Sequence, residues 1–145
     1  MAKEFFSDDE KKAIVTAIHD AEKDTSGEIK VHIESTCGGP VLDRATKVFA
    51  LLEMHRTKER NGVLIYLALK DKKFAILGDQ GINTRVPENF WNEIKDEMQT
   101  NFRAGKFTDG LCKGIRRAGI QLKQHFPCRP DDVNELPNDI SFGAH

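Results

Sequence analysis

The acidic side chains of this sequence are the residues with most chemistry to offer, and their placement says of what kind. Asp79 sits in Gly78-Asp79-Gln80-Gly81, directly after an apolar strand pattern, where a side chain is well placed to reach a ligand. Glu59 lies in the polar stretch Lys58-Glu59-Arg60-Asn61, and Glu28 opens the run Glu28-Ile29-Lys30-Val31-His32-Ile33-Glu34. Asp132 and Glu135 belong to a late acidic segment, Asp131-Asp132-Val133-Asn134-Glu135. Taken singly, each of these except Asp79 reads as an ordinary solvated acid. Brought together, carboxylates repel, and a hard cation such as Ca2+ or Mg2+, which takes about six to eight oxygens, relieves that repulsion.

Other chemistry is excluded by spacing. Cys37-Gly38-Gly39 followed by Arg44 is similar to the phosphate loop of cysteine phosphatases. Six residues separate Cys37 from Arg44, one more than that loop allows, and Ala45 stands where a hydroxyl residue is needed. Gly78-Asp79-Gln80-Gly81 has neither dinucleotide-site spacing nor the Lys-Ser/Thr of a nucleotide phosphate loop. No Asp-x-Asp follows the first strand and no G-x-S-x-G elbow occurs. His19, His32, His55, His125 and His145 show no zinc-ligand spacing. Leu136 stands where an EF-hand loop requires acidic and glycine positions.

The elements that must position the acids are legible as patterns. Ser7-Asp8-Asp9-Glu10 fits a capping box, and Ala13, Ile14, Ala17, Ile18 and Ala21 follow at helical spacing up to Asp24-Thr25-Ser26-Gly27. Residues 28–34 alternate as a half-buried strand does. The pattern predicts a second helix from about Asp43 to Met54, a continuous apolar strand over Val63–Leu69, and a hairpin into a strand over Lys73–Leu77. Pro87 suits the first turn of a third helix carrying Phe90, Trp91, Ile94, Met98 and Phe102. Thr108 suits the cap of a fourth, which Pro127 ends. The order predicts an α/β fold, a three-layer α/β/α sandwich with a small mixed, Rossmann-like sheet of about four strands. Residues 1–126 form the domain, and 127–145 form an irregular tail packed on it.

Strand direction gathers the acids. The first two strands are joined through a helix and should run parallel; the third returns. The start of the first strand with Glu28, the entry to the second with Glu59, and the exit from the third with Asp79 then share one edge. If the last two helices climb and descend, Asp132 and Glu135 arrive there too.

Composition narrows the setting. Charged residues make up 31% of the 145-residue chain, yet the formal net charge is -1, with no field to hold nucleic acid. No apolar run is long enough for a signal peptide or a membrane span. Cys37, Cys112 and Cys128 are odd in number and form no C-x-x-C pair, which reads as reduced thiols. The expectation is a cytoplasmic monomer that meets a protein partner.

Four blocks occur in order with a family likeness: Ser26-Gly27-Glu28-Ile29-Lys30-Val31, Asn61-Gly62-Val63-Leu64-Ile65, Phe74-Ala75-Ile76-Leu77-Gly78-Asp79-Gln80-Gly81-Ile82, and Phe107-Thr108-Asp109-Gly110-Leu111. Over roughly residues 7–126 the chain resembles the TPM domain, in the form of a stand-alone cytosolic member similar to those of flavobacteria. The resemblance implies a sandwich in which the loop before the second strand, His55–Asn61, crosses the loop after the third, Gly78–Val86. It implies divalent cations holding those loops, with Glu59, Asp79 and Glu28 at matching positions; Asp132 and Glu135 rest on strand direction alone. Plant members are associated with acid phosphatase activity, which makes a metal-dependent phosphatase, with Arg60 or Arg85 on the phosphate, one alternative. A plain protein-interaction domain is another. Against the family pattern, the expectation here is a member without leader or anchor, and Asp79-Gln80 stand where Gly-Tyr-Gly is usual.

Overall fold

The computed structural model describes residues 5–23, 25–87, 89–127 and 140–143. Helix α1 (Asp8–Glu22) starts on the expected capping box: the Ser7 hydroxyl accepts the Glu10 N–H at 3.1 Å, and the Glu10 carboxylate accepts the Ser7 N–H at 3.0 Å. Strand β1 (Glu28–Glu34) follows, then helix α2 (Val41–Leu51) and a 3-10 turn at Met54–Arg56. Strands β2 (Gly62–Ala68) and β3 (Lys73–Gly78) form a hairpin, with Lys72 in the left-handed region at φ 54°. A one-turn helix α3 (Gln80–Asn83), then α4 (Asn92–Arg103), α5 (Phe107–His125) and a two-residue strand β4 (Ser141–Phe142) complete the order.

The sheet has the order β3-β2-β1-β4. As expected from the helical crossover, β1 and β2 are parallel, pairing Glu28 with Gly62 through Glu34 with Ala68. β3 is antiparallel to β2, and β4 lies parallel to β1 at His32 and Ile33. Ile29, Val31 and Ile33 of β1 and Val63, Ile65 and Leu67 of β2 face one way, into a core with Ile14 and Ile18 of α1, Ile94 and Met98 of α4, and Ile115 and Leu122 of α5. Leu64 and Tyr66 face the other way, onto Ala45 and Val48 of α2. Each such side chain contributes about 1.5–3 kcal/mol when fully buried, so the two apolar faces of β2 explain its continuous apolar run.

Four sequence expectations meet corrections. β1 is buried over all seven residues, because the stripe Glu28, Lys30, His32 and Glu34 is covered too. The third predicted helix starts at Asn92, after a set of turns beyond Pro87. Thr108 does not cap α5: the helix begins at Phe107, and the Thr108 hydroxyl donates to Glu10 at 2.7 Å, tying α5 to the cap of α1. The tail is not wholly irregular, since residues 141–142 return to the sheet as β4.

Candidate functional site

Parallel β1 and β2 with returning β3 place three chain segments at the amino edge of the sheet, where direction put them. Glu28 donates its backbone N–H to the Asn61 carbonyl at 3.4 Å, and Asp79 donates its own to the Gly62 carbonyl at 2.9 Å. α5 descends to the same edge: Ser26 N–H donates to the Phe126 carbonyl at 3.0 Å, and Thr25 bridges Pro127. Asp24, Asp132 and Glu135 lie outside the described residues.

The loop before β2 and the loop after β3 do cross. Gly81 N–H donates to the Arg60 carbonyl at 2.8 Å. A Cβ on Gly81 would stand 2.0 Å from the Glu59 carbonyl oxygen, so the crossing admits glycine there and nothing larger without movement. Asp79 caps α3, its Oδ1 accepting the Gln80 N–H at 2.8 Å. The Arg60 guanidinium grips the same carboxylate as a fork, Nε to Oδ2 at 2.7 Å and Nη2 to Oδ1 at 2.9 Å. Asp79 is 6% exposed, so its charge is met inside the protein by Arg60, whose backbone takes φ 52° to make the approach.

Glu59 points a different way. Its Oε2 accepts the Ser26 hydroxyl at 2.5 Å, and the Asn61 amide donates to Ser26 at 3.2 Å, which ties the β2 entry to the β1 entry. Glu28 is buried beside Glu22 of α1, whose Oε2 accepts the Ile29 N–H at 2.7 Å. Burial first, then the charge of Glu28, pushes the Glu22 carboxyl up to about 8, so this carboxyl pair holds a proton at neutral pH. Asp79, Glu59 and Glu28 therefore share an edge while each has its own neighbours. Among the described residues, no three His, Cys, Asp or Glu side chains are grouped so as to hold a metal ion.

Two features escaped the sequence reading. The sequence gives Arg60 a role only on a phosphate, although its position beside the Asp79 loop on one edge is a usable signal. The second is at the opposite, carboxyl edge. Glu34, 0% exposed, accepts the Tyr66 hydroxyl at 2.5 Å, the Arg44 guanidinium through both oxygens, and His32 Nε2 at 3.0 Å, while His32 Nδ1 meets Ser141 Oγ at 2.8 Å. Burial opposes the Glu34 charge, but these donors outweigh it and hold the carboxyl at about 2. The Cys37 thiol lies beside this network, 3.2 Å from Asp71 Oδ2 and 3.0 Å from the Gly39 carbonyl. Cys37 and Cys112 are free thiols, and Cys128 lies outside the described residues.

The structure is similar to the solution structure of the BA42 protein of the psychrophilic bacterium Bizionia argentinensis, with 52% identity, a TM-score of 0.90 and 96% of each chain covered. The N-terminal domain of a protein from P.gingivalis shares the fold at 21% identity and a TM-score of 0.69, over 83% of this chain and 78% of that one. The N-terminal domain of the cg2496 protein of Corynebacterium glutamicum does so at 13% identity and a TM-score of 0.64, over 81% and 74%. No curated protein matches. The TPM domain profile matches residues 2–121, so the chain belongs to the TPM domain family.

Proposed function

We propose that this TPM domain is a divalent-cation-responsive binding module, with Ca2+ or Mg2+ bridging the two crossing loops. The observation that carries the reading is the crossing itself: two loops held within backbone contact at Gly81, each bringing a carboxylate, Asp79 and Glu59, to one edge. Asp79 and Glu59 themselves offer carboxylate oxygens, which suit a hard cation. Two carboxylates with water suit a weak, partly hydrated ion of the Mg2+ kind rather than a fully protein-ligated one. Asp79 and Glu59 would hold it, with Glu28 and the tail acids Asp132 and Glu135 as further candidates. Arg60 supplies the countercharge to Asp79 in this arrangement; Asp79 and Glu59 would hold a divalent cation, which would supply positive charge to both carboxylates. The residues of the chain set how far the loops stiffen and what surface they offer a protein partner. The proposal takes the module to act as a cytoplasmic monomer; among the described residues no helix is long and apolar enough to cross a membrane.

The phosphatase alternative gains little from the geometry. Arg60 is committed to Asp79, and the Arg85 guanidinium stacks 4.3 Å from the Phe126 ring while donating to the His125 carbonyl at 2.9 Å. Thermal unfolding in chelator and in millimolar Ca2+ or Mg2+ tests the reading. An ion at 100 times its Kd raises stability by about 2.7 kcal/mol, and that gain should vanish in Asp79→Asn. A melting temperature indifferent to either ion would remove the proposal.

A further inference from the structure

At the carboxyl edge, opposite the crossing loops, an open groove of about 460 Å3 runs between the β2–β3 hairpin and the turn joining α4 to α5. Its floor is aromatic. Phe74 of β3 meets Phe102 of α4 edge to face at 5.1 Å, and Phe102 stacks on Phe107 of α5 at 5.5 Å. The sequence builds this deliberately: Gly105 takes φ 78° to turn the chain tightly, and a Cβ on Gly110 would stand 2.6 Å from the Phe102 ring. The rim is cationic. Lys72, Lys73 and Arg103 are all exposed, and among the described residues no acid lines the groove. The neighbouring acid, Asp71, feels the charge of Lys73 but gives its carboxylate to the Cys37 N–H at 2.8 Å and to the Cys37 thiol.

We propose that this groove docks an extended acidic peptide segment of a partner protein, an apolar side chain entering among Phe74, Phe102 and Phe107 while carboxylates meet Lys72, Lys73 and Arg103. Charge complementarity sets the sign of the occupant: three cations without an acid, on a chain whose net charge is -1, mark a local positive patch. β3 is the outermost strand of the sheet, and an edge strand accepts an extended chain by backbone pairing. A second copy of this chain fits poorly, since a two-fold contact would set like charges against one another. Single-stranded nucleic acid fits less well, because its bases need free ring faces and Phe102 already stacks on Phe107.

The test is a heteronuclear NMR titration of the intact chain, in chelator, with the peptide Glu-Asp-Phe-Leu-Glu-Asp and its charge-reversed counterpart Lys-Arg-Phe-Leu-Lys-Arg. Chelator makes the result independent of cation binding at the opposite edge. Saturating shifts at Lys72, Lys73, Phe74, Arg103 and Phe107 with the acidic peptide alone are expected. Lys72→Glu and Arg103→Glu, both at exposed positions that leave the core intact, should each weaken binding about tenfold. No saturation by about 1 mM, shifts mapping elsewhere, equal binding of the basic peptide, or tighter binding of oligothymidylate at the groove would each overturn the proposal.

Discussion

Gly81→Ala separates the crossing of the loops from ordinary helix propensity, because the two effects have opposite signs. Gly81 lies within α3 without a left-handed backbone, so alanine there should favour the helix by about 1 kcal/mol. The added Cβ, however, would stand 2.0 Å from the Glu59 carbonyl and 2.6 Å from that of Arg60, where contacts under 3.0 Å are essentially never seen. One loop must therefore retreat by about 1 Å, on the order of the overpacking strain that costs about 1–3 kcal/mol. The retreat also stretches the 2.8 Å bond from Gly81 N–H to Arg60, worth about 1 kcal/mol, and strains the fork on buried Asp79. The clash wins. We expect a net destabilisation of about 1–3 kcal/mol by urea unfolding, and a melting temperature about 3–10 °C lower for a chain of this size. A variant as stable as the parent, or more stable, would refute the crossing as described.

Arg44→Met removes the guanidinium from Glu34, 0% exposed, and should cost about 3–5 kcal/mol in urea unfolding near neutral pH. The Glu34 carboxyl is held at about 2, below its ordinary 4.5, so its stabilisation is present above pH 4.5 and lost as pH falls toward 2. Glu34→Gln should flatten that acid limb in a pH series of denaturation curves. Glu22 runs the other way. Its carboxyl is raised from 4.5 to about 8, so the folded chain binds the extra proton and stability declines as pH climbs through that window. One proton gives a slope of at most about 1.4 kcal/mol per pH unit, and Glu22→Gln should remove it and unfold later than the parent at pH 8. Gly143→Ala places a Cβ 2.3 Å from the Glu34 side chain, so it should displace β4 and weaken the amide protection of His32 and Ile33.

Much of the fold was legible because its signals are local and strong. The capping box at Ser7 and Glu10, the apolar run of β2 and the Pro127 stop all lie within a few residues of what they specify. Strand direction alone puts Glu28, Glu59 and Asp79 on one edge. What escaped depends on partners distant in sequence. Arg60 meets Asp79 across 19 positions, and the local pattern around either residue does not announce a fork. β1 read as half-buried because its polar stripe alternates cleanly. Part of its cover comes from Ser141, in a strand of two residues that carries almost no propensity signal, and from Gly143 just beyond it. α3 was missed for a similar reason: Asp79 is a good cap, but four residues including Gly81 make a weak helix by composition.

The most direct measurement is a pair of heteronuclear NMR titrations, with Ca2+ and with Mg2+, on metal-stripped protein and on Asp79→Asn. Divalent-cation binding at the crossing predicts that amides of Glu59, Arg60, Asn61, Asp79, Gln80 and Gly81 shift together along one saturating curve, and that the substitution abolishes it. Failure to saturate in the millimolar range, or shifts scattered over exposed acids such as Asp8 and Asp43 and unchanged in Asp79→Asn, would contradict it.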